Sequence, residues 1–282
     1  MYGQARYADT NSLLNAKIDR FRPLIVAHRG TASGMVVENT AKSIAAALKM
    51  GAEMVEIDVV SSTDGDFFLF HDTKEPRHFG TTQNINTMST AEIRALKYIW
   101  YSHPTNPVRV EELSAVLDRF RGDTLFSVDR SWWYWPQLFG FLDGYDMAQQ
   151  LCVKCPVSDE NLAVLASHAV KYPFAPMVRT TDEVERVLAE PEINTVGVEL
   201  LTDTPDSVFL DPAYVAELHS RGLFCLANAI NLTDPTPLFA KLDDETSLFK
   251  DEDDGWGGLM RLGVDMIQTD WPSLLLAYRE RG

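Results

Sequence analysis

Two histidines and a pair of carboxylates are brought together by short-range geometry. His28 closes the apolar run Leu24-Ile25-Val26-Ala27 and is followed by Arg29 and Gly30. Glu56-Ile57-Asp58 comes next, then Asp64-Gly65, then His71-Asp72. On a strand, Glu56 and Asp58 share a face because successive side chains alternate. Asp64-Gly65 between two apolar-aromatic runs predicts a hairpin with a two-residue loop. That register sets His71 directly opposite Asp58, with Cβ atoms roughly 4.5–5.5 Å apart. Paired carboxylates suit a hard divalent cation, and a histidine beside them is a proton-transfer group.

The elements that must position these residues follow from hydrophobic periodicity. Strands are predicted at 24–28, 54–60, 124–129, 151–155, 174–179, 195–201, 223–228 and 266–269, with 67–71 as the hairpin return. Helical faces lie between them: Ala41/Ile44/Ala45/Leu48, Leu113/Val116/Leu117/Phe120 and Leu162/Leu165/Ala166/Ala169. Thr180 and Glu183 form a capping box, and Asp211-Pro212 opens a further helix that stops at Gly222. Eight strands alternating with helices read as a single-domain (β/α)8 TIM barrel over 1–282, with a hairpin extension after the second strand. A doubly wound open sheet is the alternative, but no GxGxxG follows the first strand. Residues 73–109 read as a loop excursion holding one weak helix. Residues 231–257 read as an acidic, solvated loop.

Catalytic groups of such a barrel sit at the C-terminal ends of its strands. His28, Glu56, Asp58 and Asp129 all occupy strand ends, so Glu56, Asp58 and Asp129 are the expected ligands of one Mg²⁺ or Ca²⁺. Glu199 and Asn228, also near strand ends, are expected to hydrogen-bond a substrate headgroup. The Trp132-Trp133-Tyr134-Trp135 run leaves the same end, so Trp132 or Trp133 is expected to stack on a sugar or choline face. His78, His103, His168 and His219 have no acidic company in sequence and read as surface or packing residues.

The set His28-Arg29-Gly30, Glu38-Asn39-Thr40, Glu56-Ile57-Asp58, Asp64-Gly65 and His71-Asp72 resembles the glycerophosphodiester phosphodiesterase family. So does the closing segment Gly263-Val264-Asp265-Met266-Ile267-Gln268-Thr269-Asp270-Trp271-Pro272. The resemblance implies a TIM barrel with one divalent metal. It also implies that His28 and His71 cleave a small glycerol- or sugar-phosphodiester as acid and base, by way of a cyclic phosphate. Arg29 would grip the phosphoryl group. Glu38 and Asn39 would bind or orient His28, the metal shell or a substrate hydroxyl; for Asn39, helix capping alone is the competing role. The family usually has glutamate at the position of Asp129 and lysine at that of Ser131. Lys154, at the end of the next strand, is placed to supply the missing charge. The alternatives are a phospholipase D-like lyase on lipid headgroups, whose barrels do carry aspartate at the third ligand, and a non-catalytic barrel that binds phosphodiesters.

Composition narrows the partners. The 282 residues carry 25 basic and 41 acidic side chains, a net charge of −16. That argues against nucleic acid and anionic membranes as partners. No apolar run reaches the length of a membrane span, and residues 1–22 lack an apolar signal core. Three cysteines do not make a disulfide framework, so a cytoplasmic location is expected. Cys152 and Cys155, three apart on a strand, fall on opposite faces and read as packing residues.

Overall fold

The computed structural model describes residues 1–99, 107–232 and 236–281. Its ten strands are β1 (Leu24–Ala27), β2 (Met54–Ser61), β3 (Phe67–Leu69), β4 (Glu111–Glu112), β5 (Leu125–Asp129), β6 (Leu151–Val153), β7 (Met177–Val178), β8 (Gly197–Leu200), β9 (Phe224–Asn228) and β10 (Met266–Thr269). The fold is α/β with a curled sheet. Parallel pairing runs β6-β5-β2-β1-β10-β9-β8-β7. Backbone bonds also reach from the β6 segment to residues 173–177: Val153 N–H to Pro173 O (2.8 Å), Ala175 N–H to Val153 O (3.0 Å) and Met177 N–H to Cys155 O (3.0 Å).

Strand parity divides the side chains into two layers. One face of each strand packs against the helices in the larger core, with Ile25, Ala27, Val55, Ile57, Phe126, Val128, Val153, Val198, Cys225 and Ile267. The other face is apolar toward the strand starts, where Leu24, Val26, Met54, Leu125, Cys152, Leu226 and Met266 meet Tyr2, Leu14 and Ile18 of the N-terminal segment. Toward the strand ends the same face turns polar: Glu56, Asp58, Ser127, Asp129, Lys154, Glu199, Asn228 and Gln268. The inner face is therefore sealed at one end and chemically equipped at the other. Cys152 and Cys155 fall in different cores, as their spacing predicts, and all three cysteines are free and buried.

The antiparallel return after β2 differs from expectation by one residue. β3 pairs with β2 as Val59↔Leu69, Val60↔Phe68 and Ser61↔Phe67. Phe70 N–H donates to Asp58 O (3.1 Å), so Phe70, and not His71, is the residue opposite Asp58. The cause is turn length. Ser62 N–H bonds Asp66 O and Gly65 N–H bonds Ser62 O, giving a three-residue loop with Gly65 at φ 90°. A left-handed residue after a tight turn is the other common way to close a hairpin, and glycine suits it as well as it suits the two-residue loop.

Residues 73–109 hold more than one weak helix. Short helices at Glu75–Phe79 and Thr90–Ala95 and a 3-10 turn at Ile85–Thr87 enclose their own small core of Val37, Val60, Phe68, Phe70, Ile85, Met88, Ile93, Tyr98 and Val110. The acidic stretch 231–257 is likewise folded in part. Asp243 caps the helix Asp244–Phe249. Asp244 is buried and accepts from Trp256 Nε1 (2.8 Å), Thr269 Oγ1 (2.7 Å) and Asp270 N (2.9 Å). Burial pushes its carboxyl up to about 7. Local charge density suggested a solvated loop; tertiary donors, invisible in the sequence, order it instead. No helix among the described residues is long and apolar enough to cross a membrane.

Candidate active site

The strand ends place Glu56, Asp58 and Asp129 together. Asp58 and Asp129 are register partners on β2 and β5, and one carboxylate oxygen from each of the three acids lies within 4.8 Å of the others. Asn39 holds Asp58 at both ends: its Nδ2 donates to Asp58 Oδ2 (2.8 Å), and Asp58 N–H donates to Asn39 Oδ1 (3.0 Å). Helix capping falls to Thr40, whose Oγ1 accepts from Ser43 N–H (3.2 Å), so Asn39 orients the carboxylate cluster. Glu56 Oε2 accepts from Arg29 N–H (2.8 Å), while its Oε1 is buried without a partner among the described residues. Burial, reinforced by the charge of Asp58, holds the Glu56 carboxyl well above the usual range. An orphaned buried oxygen within a cluster of three acids fits a divalent cation, which would supply both the bond and the countercharge.

The loop after β1 delivers the cationic group. Arg29 and Gly30 both have positive φ, 54° and 77°. A Cβ on Gly30 would lie 2.6 Å from the Ser43 backbone and hydroxyl, so the loop is pressed against the following helix and glycine is required. Arg29 then reaches Glu38 Oε1 (2.9 Å) through Nη1 and Asp58 Oδ2 (3.0 Å) through Nε. Burial alone would raise the Glu38 carboxyl, but His78 and Arg29 outweigh it and hold it low. His78, a residue with no acidic company in sequence, is buried among Phe70, Phe79 and Tyr98, with Nε2 3.5 Å from Glu38 Oε1. His103 lies outside the described residues.

His28 and His71 line one cleft of about 490 Å³ together with Arg29, Glu38 and Asp270. His28 Nδ1 lies 2.8 Å from Asp270 Oδ1; the carboxylate accepts, which leaves Nε2 for the cleft. His71 Nδ1 lies 2.5 Å from the Asp72 carbonyl oxygen. A carbonyl can only accept, so Nδ1 carries the proton and Nε2 offers a lone pair. Burial lowers the affinity of His71 for a second proton; Asp58 opposes the shift, and Arg29 and Arg130 add to it. Arg130 Nε in turn holds Asp72 Oδ1 (2.6 Å).

Five residues expected to contact substrate are not among those lining this cleft, and neither are Glu56, Asp58 and Asp129. Lys154 Nζ is buried between Asp129 Oδ2 (2.8 Å) and Glu199 Oε2 (3.0 Å), and these acids, with Glu56, keep it protonated against the cost of burial. Asn228 Nδ2 donates to Glu199 Oε1 (2.5 Å), and Gln268 Nε2 to Asn228 Oδ1 (2.8 Å). Lys154, Glu199 and Asn228 therefore form a cross-strand ladder joined to Asp129. Trp132 packs partly on the larger core and against Trp133 (ring centroids 4.3 Å), and Trp133 lies under Arg130. Neither tryptophan lines the cleft; its aromatic wall is Trp271, beside Leu232. Asp270 and Trp271 went unmarked as site residues, although the Asp270-Trp271-Pro272 sequence directly after the last strand was a usable signal.

Comparison with known proteins agrees with this geometry. The family model described as glycerophosphoryl diester phosphodiesterase matches residues 28–132, and a model described as a domain of unknown function matches 174–279. A glycerophosphodiester phosphodiesterase of Bacillus subtilis (strain 168) is 36% identical over 108 residues, which is 35% of this chain and 36% of that protein. The matches to curated relatives span at most 40% of those proteins' length. Among solved structures, a glycerophosphoryl diester phosphodiesterase from Parabacteroides distasonis superposes with a TM-score of 0.74 at 17% identity, covering 96% of this chain and 92% of that one. An Oleispira antarctica phosphodiesterase, solved with the product sn-glycerol-3-phosphate, gives 0.67 at 19%, covering 94% and 99%. The paired histidines, the arginine and the clustered acids all fall within residues 28–132, the stretch that is similar to the glycerophosphoryl diester phosphodiesterase family.

Proposed function

We propose that this protein is a metal-dependent phosphodiesterase that hydrolyses small glycerol- or sugar-phosphodiesters to a phosphomonoester and an alcohol. The observation that carries the reading is the cleft shared by His28, His71 and Arg29 beside the three-acid cluster. We read the sheet as a closed (β/α)8 barrel, on the strength of the bonds from Val153 and Cys155 to residues 173–177. Glu56, Asp58 and Asp129 would hold one Mg²⁺ or Ca²⁺, which supplies Lewis-acid stabilisation of the phosphoryl oxygens. Arg29 hydrogen-bonds a nonbridging oxygen. His71 Nε2 takes the proton from a neighbouring hydroxyl of the substrate as that oxygen bonds to phosphorus. The bond to the leaving alcohol breaks, and His28, entering this step as the imidazolium with its Nδ1–H held by Asp270, gives its Nε2 proton to the departing oxygen. Water then opens the cyclic phosphate with the roles reversed. Product binding in the Oleispira relative agrees with release of glycerol phosphate.

The test is incubation with glycerophosphocholine and Mg²⁺ or Ca²⁺, with phosphorus NMR of the products. Glycerol phosphate that disappears in chelator is the expected result; no turnover with either metal, or choline phosphate as product, overturns the reading. A second reading, an amphiphilic lipid-headgroup substrate, draws on the exposed Leu232 and Trp271 at the cleft. Faster cleavage of lysophosphatidylcholine than of glycerophosphocholine would favour it.

A further inference from the structure

The cleft is asymmetric. Trp271 lines it next in sequence to Asp270, the partner of His28, while Lys74 lines it close to His71. Lys74 follows His71 by three residues in a tight turn, with Lys74 N–H donating to His71 O (3.3 Å), and Arg77 lies one helical turn further on. The other cations of the cleft are committed. Arg29 is paired with Glu38 and Asp58, and His28 with Asp270. Lys74 makes no ion pair among the described residues, in a protein whose net charge is −16. The scissile phosphate already has Arg29 and the three-acid cation site, so Lys74 is surplus to a singly charged diester.

From this we infer that the His71 side of the cleft is a subsite for a second anionic group, carried by the polyol that keeps the phosphate. The inference deepens the phosphodiesterase reading and rests on it: His71 serves the nucleophilic hydroxyl of the retained polyol, so the chain segment three residues on faces that polyol and not the leaving alcohol. The preferred substrate is a phosphodiester whose retained half bears a carboxylate or a second phosphate. The hydroxyl of Ser33 adds a donor to the cleft lining. The low-dielectric sides of the cleft focus the field of Lys74 on such a group.

Three p-nitrophenyl diesters with one leaving group separate the possibilities: those of glycerol 3-phosphate, of glycerate 3-phosphate, and of one phosphate of glycerol 1,3-bisphosphate. Each keeps the hydroxyl next to the esterified carbon. A charge-assisted contact predicts a kcat/KM about tenfold higher for an anionic member than for the glycerol diester. The gain should shrink with added salt. A preference for the glycerate ester identifies a carboxylate subsite, and one for the bisphosphate ester a phosphate subsite. In Lys74→Gln, with an unchanged melting temperature, the preference should fall toward parity, and in Lys74→Glu it should reverse. Equal kcat/KM for all three esters in the native protein, or a preference that Lys74→Gln leaves intact, overturns the inference while the phosphodiesterase reading stands. Failure to cleave any of the three in the presence of metal removes the phosphodiesterase reading itself.

Discussion

Among the described residues, two clusters of side chains could hold a metal ion, one at each end of the sheet, and they are built on opposite terms. Near the strand starts, His219, Cys225 and Asp265 lie within ligating distance of one another. Every lone pair that matters there is already used. Asp265 Oδ1 accepts from Tyr2 OH (2.6 Å) and Arg22 Nε (2.8 Å), and Oδ2 accepts from His219 Nε2 (2.7 Å) and Cys225 N–H (2.7 Å). Burial pushes the Cys225 thiol up, away from the thiolate a metal would need. At the strand ends, Glu56 keeps an unpartnered oxygen and a carboxyl displaced upward by burial and by its neighbour Asp58. Residue types alone do not distinguish the two clusters. Incomplete satisfaction does: the first cluster is a tie that closes the fold, and the second leaves a buried carboxylate oxygen with no donor among the described residues.

The sharpest way to break that contrast is to neutralise one acid in each. Asp58→Asn should lower kcat by about 10³-fold or more, the several kcal/mol that a Lewis acid supplies, and should abolish divalent-ion binding measured by calorimetry. An Asp58→Asn protein that keeps native turnover ends the assignment of the acidic cluster as the working site.

Next in size are the two histidines. His28→Ala and His71→Ala should each cost about 10²–10⁴ in kcat with the fold intact by circular dichroism. The pH profile adds a sign. The lowered proton affinity of His71 keeps its base form populated into mild acid, so the acid limb of kcat/KM should lie below the ordinary histidine range. A limb at or above that range would contradict the role of His71 as base.

Smaller again is Asp270→Asn, which leaves His28 in place but removes the negative charge that faces its Nδ1–H. A loss of about 10–100-fold is expected, the range typical of partners that orient an active group. The loss should fall on kcat, with KM little changed.

The smallest effect on turnover belongs to the other end. Asp265→Asn should leave kcat near native while lowering stability by about 3–5 kcal/mol in a denaturant titration, because Arg22 loses its buried counter-charge and one of the two oxygens, with its two donors, is replaced by an amide NH2. A variant as stable as the native protein would mean that the tie is not what closes this end.

Much of the site was legible because strand parity is a local rule. Glu56, Asp58 and Asp129 follow from alternation and from where apolar runs stop, and His28-Arg29-Gly30 from the end of the first run. What escaped had non-local causes. Lys154, Glu199 and Asn228 were correctly placed at strand ends, yet each finds its partner on another strand, and no sequence spacing encodes a 3.0 Å contact between residues 154 and 199. Asp270 went unmarked because Asp-Trp-Pro before a helix also reads as a plain helix start. His78 looked isolated because its acid, Glu38, precedes it by forty positions. Trp132 and Trp133 show the limit of proximity: being next to Asp129 along the chain did not turn them toward the cleft.

The three-residue turn at Thr63-Asp64-Gly65 has an evolutionary consequence. Because side chains alternate along β3, the number of residues in that turn acts like a reading frame for everything that follows it. Losing one turn residue would be silent in composition and invisible to a motif search. Yet it would exchange Phe68 and Leu69 between two separate cores and swing His71 away from the cleft it lines. Substitutions in this turn are therefore open to drift where glycine geometry is kept at position 65 and the acceptor that Asp64 offers to Thr90 N–H is kept, whereas insertions and deletions of odd length are barred. Lineages of this protein should show sequence variation in the turn at constant length, or length changes in steps of two.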